Sequence, residues 1–102
     1  MIHVIATVTV KPGKREEFLA VFKAIVPTVR SEPGCVEYHP TVDFDLGHPR
    51  QVGPRPDVVT VVERWDDAPS LRAHLKAPHM MSYRERVKEL VVSTEMVITE
   101  DC

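Results

Sequence analysis

Between Ile2 and Val10 apolar residues occupy alternate positions, Ile2, Val4, Ala6, Val8 and Val10, with His3, Ile5, Thr7 and Thr9 between them. A period of two predicts a strand with one face turned to a core. Lys11-Pro12-Gly13-Lys14 supplies a turn, after which Phe18, Phe22, Ile25 and Val29 recur at steps of four, three and four, the spacing of one helix face. Glu16 and Glu17 near the start of that helix and Arg30 near its end suit the helix dipole. Pro27 removes a backbone donor and crowds the preceding turn, so a bend or a looser last turn is expected there.

Ser31-Glu32-Pro33-Gly34 ends the helix, and Cys35 to Phe44 reads as a second strand with Val36, Tyr38, Val42 and Phe44 on one face. Pro40 places that strand at an edge, or a bulge near His39. Three prolines and two glycines make Asp45 to Pro56 a long loop, fit either to cover a pocket mouth or to extend a contact between subunits. Val58 to Trp65 is nearly continuous in apolar residues, which predicts a strand covered on both faces. Asp66-Asp67-Ala68-Pro69 looks like a capped helix start. Leu71, His74 and Leu75 then share one face of a short helix. Pro78 interrupts it, and a second helical stretch from about Met80 carries Met80, Tyr83, Val87 and Leu90 at helical spacing. Val91 to Thr99 is the last strand. The order is β-α-β-β-α-β, a ferredoxin-like α+β arrangement in a single domain over residues 1–102.

Thirteen Lys and Arg oppose fifteen Asp and Glu across the 102 residues, with no basic block, which removes the usual reason to expect a nucleic-acid or membrane-surface partner. No apolar run is long enough to span a bilayer, and the first residues lack the pattern of a signal peptide. Cys35 and Cys102 are too few for a disulfide framework. Together these predict a cytoplasmic protein. A chain this short buries only roughly 60 to 70% of its unfolded surface, so a core shared between two subunits is an attractive source of stability.

His74 is the leading candidate for a catalytic base, since it shares a buried helix face with Leu71 and imidazole titrates near neutral pH, at ~6.5. His79, just past Pro78, can meet it across the helix break or cap the following helix. Glu63 sits in an apolar row with Val59, Val61 and Trp65. A buried carboxylate there must find a partner or take up a proton, either by orienting His74, by binding a substrate hydroxyl, or by pairing with an arginine. Trp65, Tyr38, Tyr83 and Met80 are candidates for the walls of an aromatic pocket or for plain core. Arg84, Arg86 and Lys88 read as a solvated face. No His-x-x-x-His or His/carboxylate spacing stands out on one element, so no metal is expected.

Val10-Lys11-Pro12-Gly13-Lys14 before an amphipathic helix, Glu32-Pro33-Gly34-Cys35 opening a strand, Glu63-Arg64-Trp65 closing one, and Leu71-Arg72-Ala73-His74-Leu75 with Pro78-His79 together resemble the antibiotic biosynthesis monooxygenase family. The resemblance implies a dimeric α+β barrel in which antiparallel sheets of two subunits pack face to face, with a pocket in each subunit between sheet and helices. It further implies oxidation of a small quinol- or anthrone-like compound by molecular oxygen, with neither metal nor flavin nor any other cofactor. Some look-alikes isomerise a phosphorylated sugar, and their His-four-residues-His spacing is similar to that of His74 and His79. Others have no known activity. The haem-degrading look-alikes differ at their hallmark positions, where this chain has Ala6, His74 and Arg84. The chemistry expected is deprotonation of an electron-rich aromatic so that it can reduce triplet oxygen. The alternatives are a sugar-phosphate isomerase using the two histidines and a non-catalytic dimer that binds an aromatic ligand.

Overall fold

The computed structural model describes all residues, 1–102. Its elements follow in the order β1 (Ile2–Val10), α1 (Arg15–Arg30), β2 (Cys35–Thr41), β3 (Val58–Trp65), α2 (Ala68–Lys76), α3 (Pro78–Val87) and β4 (Val91–Glu100). The four strands form one antiparallel sheet in the order β2-β3-β1-β4, the ferredoxin-like arrangement expected from the sequence. β1 and β3 pair from Ile2 opposite Trp65 to Thr9 opposite Val58. That register places Val4, Ala6 and Val8 beside Glu63, Val61 and Val59 on the face that the helices cover.

The helices lie on one side only. β3 is therefore sealed on the inner face at Val59, Val61, Glu63 and Trp65, whereas Thr60, Val62 and Arg64 on the outer face stay half-buried. The expected cover on both faces of β3 is absent in the single chain because no second layer meets the outer face. β4 is exposed from Val92 to Glu100, including Met96, Val97 and Ile98.

β2 is an edge strand, as Pro40 requires, but it ends at Thr41, short of Phe44. The register shift lies between Cys35 and Glu37, ahead of His39, and throws Val36 outward while Tyr38 turns into the core. Val42 and Phe44 are exposed, so the expected apolar face of the strand reduces to Tyr38. What ends the strand is Asp43. Its carboxylate accepts from the Arg55 backbone N–H and Nε, both at 2.8 Å, and from Nη2 at 3.0 Å, which closes the loop on itself.

α1 runs through Pro27. The looser last turn appears as one N–H, that of Ser31, shared between the Pro27 and Thr28 carbonyls at 3.2 Å each. Phe22 in this helix stacks on Tyr38 with ring centroids 5.5 Å apart and meets Tyr83 edge-on at 5.7 Å, which ties sheet to helices.

Two local devices place the later helices. Asp67 caps α2 by accepting the Ser70 N–H at 2.9 Å, as its sequence context predicts. Asp67→Ala is expected to lower the midpoint of urea denaturation, since the Ser70 N–H loses its acceptor. Ala77, extended with ψ 140°, separates α2 from Pro78 at the start of α3, two residues earlier than expected. Across the molecule, Gly34 has φ +83°, and a Cβ there would lie 2.2 Å from the Ser70 hydroxyl. Only glycine lets the Pro33-Gly34 turn press against the first turn of α2, and its carbonyl accepts the Asp66 N–H at 2.9 Å. Glu32 lies immediately ahead of this turn.

Candidate active site

Between the inner sheet face and the helices lies a cavity of about 390 Å³, the only one of note in the chain. Ala6, Val8, Val61, Phe22, Met80 and Val87 make most of its wall apolar. Into this wall the fold inserts Tyr38 from β2, Glu63 from β3, His74 from α2 and Tyr83 from α3. All four residues are at least 92% buried.

Glu63 Oε1 accepts the Trp65 indole N–H at 2.9 Å. Burial pushes the Glu63 carboxyl up to about 7, with the indole bond opposing and the charge of Glu32 adding to the rise. The expected orienting bond to His74 is not made, nor does any arginine pair with Glu63. The carboxylate that holds His74 is Glu32, whose Oε2 accepts from Nδ1 at 2.9 Å. Since a carboxylate oxygen accepts, Nδ1 carries the hydrogen and Nε2 is left as the basic nitrogen. Trp65 lies 4.7 Å from the His74 ring, centroid to centroid, and Tyr38 meets it edge-on at 5.3 Å, so the imidazole is fixed on both sides. Burial holds its pKa below the ordinary histidine value, and Glu32 works against that fall.

Four polar atoms remain without a protein partner: Glu63 Oε2, His74 Nε2 and the hydroxyls of Tyr38 and Tyr83. No sealed side-chain nitrogen or oxygen in the chain lacks a partner, so these atoms open onto the cavity that their residues line. Burial raises both phenols above the ordinary tyrosine value, which keeps their hydrogens available as donors. The space thus presents two proton acceptors and two donors inside an apolar wall.

Five of the seven residues singled out by sequence meet here: His74, Glu63, Tyr38, Tyr83 and Met80. Trp65 does not line the cavity. It is fully buried behind the site, where it supports His74 and binds Glu63. His79 also stands outside, half-exposed, and neither caps α3 nor reaches the cavity. Its Nε2 donates to the same Glu32 oxygen at 2.9 Å, so the two histidines meet through a carboxylate rather than directly. Arg84 and Lys88, expected on a solvated face, border the cavity, with the Arg84 guanidinium held by the Leu75 carbonyl at 2.9 Å. The 42–57 loop contributes nothing to the lining. Glu32 escaped the sequence reading because it lies 42 residues from His74. Its one signal is the Pro33-Gly34 turn that follows it.

Glu32, His74 and His79 offer one donor atom each within 4.8 Å of one another, the only such grouping of metal-binding side chains. The expectation of no metal rested on spacing within single elements. This group is assembled from three separate segments.

A ferredoxin-like sheet that walls an acid- and imidazole-bearing apolar cavity places the chain among α+β proteins with an enclosed pocket. The family model for "Antibiotic biosynthesis monooxygenase" matches residues 1–86, and the chain belongs to that family of monooxygenases. It is 39% identical to "Probable quinol monooxygenase YgiN" of Escherichia coli strain K12, over 98% of this chain and 97% of that protein. Among solved structures, a conserved protein from Methanosarcina mazei Go1 superposes with a TM-score of 0.83 at 26% identity, over 99% of this chain and 92% of the other. Protein SO0527 from Shewanella oneidensis does so with a TM-score of 0.80 at 28% identity, over 96% and 87%. No helix is long and apolar enough to cross a membrane.

Proposed function

We propose that this monooxygenase oxidises a small quinol-like aromatic with molecular oxygen and needs no cofactor to do so. One observation carries the reading: Glu63, poised near pH 7, and His74 Nε2 face one apolar cavity together with two buried tyrosine hydroxyls. The name of the Escherichia coli relative, a quinol monooxygenase, agrees with it.

The hard step is spin, because a closed-shell aromatic reacts slowly with triplet oxygen until it is made electron-rich. Glu63 takes the proton of a substrate hydroxyl. From a phenol of pKa ~10 to an acceptor near 7 this is uphill by about 4 kcal/mol. Tyr38 and Tyr83, donating to the forming oxyanion in a space with little water, supply stabilisation of that order. The anion passes one electron to oxygen, and the two radicals join as a carbon–peroxide bond, protonated by Glu63. His74 Nε2 then removes the hydrogen on that carbon as the O–O bond breaks, and returns the proton to the departing hydroxide. One oxygen atom stays as the new carbonyl and the other leaves as water.

The same reading takes the chain as half of a homodimer, joined through the uncovered outer sheet face. The isomerase alternative is weakened by His79, which is outside the cavity and so cannot act as the second base on a bound sugar.

Oxygen uptake by metal-stripped protein offered a panel of hydroquinones and anthrones tests the reading. Uptake is expected, with product absorbance in proportion, and His74→Ala should lower kcat at least about a hundredfold while thermal unfolding stays cooperative. Uptake no greater than that of boiled protein refutes the oxygenase, and undiminished turnover in the variant removes His74 from it.

A further inference from the structure

We propose that Glu32, His74 and His79 form a binding site for a divalent transition-metal ion of the zinc class. Two imidazole nitrogens, His74 Nδ1 and His79 Nε2, converge on a single oxygen, Glu32 Oε2, each at 2.9 Å. Donors arranged around a tetrahedral ion with bonds of about 2.0–2.1 Å stand about 3.3 Å apart. The three donor atoms lie within 4.8 Å of one another, so an ion needs the Glu32 carboxylate to back away and the half-exposed His79 ring to swing inward until each pair stands near that spacing. On binding, each neutral ring turns a lone pair to the ion and carries its hydrogen on the other nitrogen, so His74 Nε2 becomes a donor toward the cavity and His79 carries its hydrogen at Nδ1.

The donor chemistry is selective. Two imidazoles and one carboxylate suit zinc, cobalt or nickel rather than calcium or magnesium, which prefer all-oxygen shells. With three protein ligands, one position remains for water. The scaffold is also stiff on every side. Glu32 sits ahead of the Gly34 turn that is packed on Ser70, His74 lies between the Trp65 and Tyr38 rings, and His79 follows the Ala77-Pro78 break. His74 and Glu32 side chains are 2% and 12% exposed, whereas His79 is 30% exposed and gives the ion its route from solvent. Because His74 opens onto the cavity at its other nitrogen, an ion here touches the candidate active site from behind.

The test is calorimetry of the full chain, stripped with chelator and dialysed, titrated with zinc chloride. It needs no turnover, so it stands whether or not the oxygenase reading holds. One ion per chain is expected, with micromolar or tighter affinity. His79→Ala, at a half-exposed position where folding is not at stake, should weaken it at least tenfold, and the isosteric Glu32→Gln should do the same. Cobalt should show visible ligand-field bands that both variants lose. His3→Ala combined with Cys102→Ser removes the competing donors near the chain ends, His3 with its partner Asp101 among them, and should change nothing. The proposal falls if no saturable binding is seen below ~1 mM. It falls equally if the affinity survives both His79→Ala and Glu32→Gln, or disappears in the His3→Ala, Cys102→Ser chain.

Discussion

Glu63→Gln is expected to lose at least about a hundredfold in turnover and, at pH 8, to unfold at a higher temperature than the parent chain. The two effects share one cause. Burial raises this carboxyl to about 7 in the folded chain, against 4.5 for the same group in water. Between those values the folded state binds more protons than the unfolded one, so stability declines as pH rises through 4.5 toward 7. Above 7 the loss is complete, at about 3 kcal/mol for 2.5 units. Glutamine keeps the oxygen that accepts the Trp65 N–H and carries no charge, so it removes the loss. For a chain of this length 1 kcal/mol corresponds to about 4–8 °C, and the gain at pH 8 should exceed 10 °C by roughly that scale. At pH 4, below both values, the two proteins should melt close together. Melting curves at the two pH values decide it: an advantage that does not grow with pH shows that Glu63 is not the strained acid described, and a stabilised variant with full turnover shows that the strain serves something else.

The alternation of β1, the four-three-four spacing of α1 and the Asp67 cap are local patterns, and each was readable because backbone geometry alone imposes it. Tyr38, Glu63, His74 and Tyr83 were also visible as candidates, being titratable or aromatic residues in apolar rows. Their company was harder to read. The partner of His74 could not be inferred from spacing, because the fold brings Glu32 to it through a glycine turn packed on Ser70, a tertiary contact with no periodic trace. Between pocket wall and core, the two readings open for Trp65, the structure takes the second. Strand alternation puts it on the same face as Glu63, yet the cavity ends before its row and leaves the indole as support. The end of β2 was missed because Val42 and Phe44 continue an alternating pattern that Asp43 breaks through a side-chain bond to Arg55, twelve residues on.

Val97→Asp is expected to convert the proposed homodimer to a monomer and to cost the assembly several kcal/mol, whereas in an isolated chain it would be almost silent. Val62, Ile5 and Val97 stand side by side across β3, β1 and β4 on the outer face, and Val97 is 60% exposed. A charge at so open a position costs little when water covers it. Pressed against a second sheet it must be desolvated, and in a two-fold assembly the substitution enters twice. Met96 and Ile98, on the opposite face of β4, are also uncovered, and Met96 borders the cavity. A partner on the outer face lies across the sheet from the cavity, so the substitution should change the mass of the assembly while the cavity wall stays as it is. Light scattering reads the mass. An unchanged mass in Val97→Asp would place the subunit contact elsewhere, with the exposed Phe44 and Leu46 of the loop as the next surface to alter.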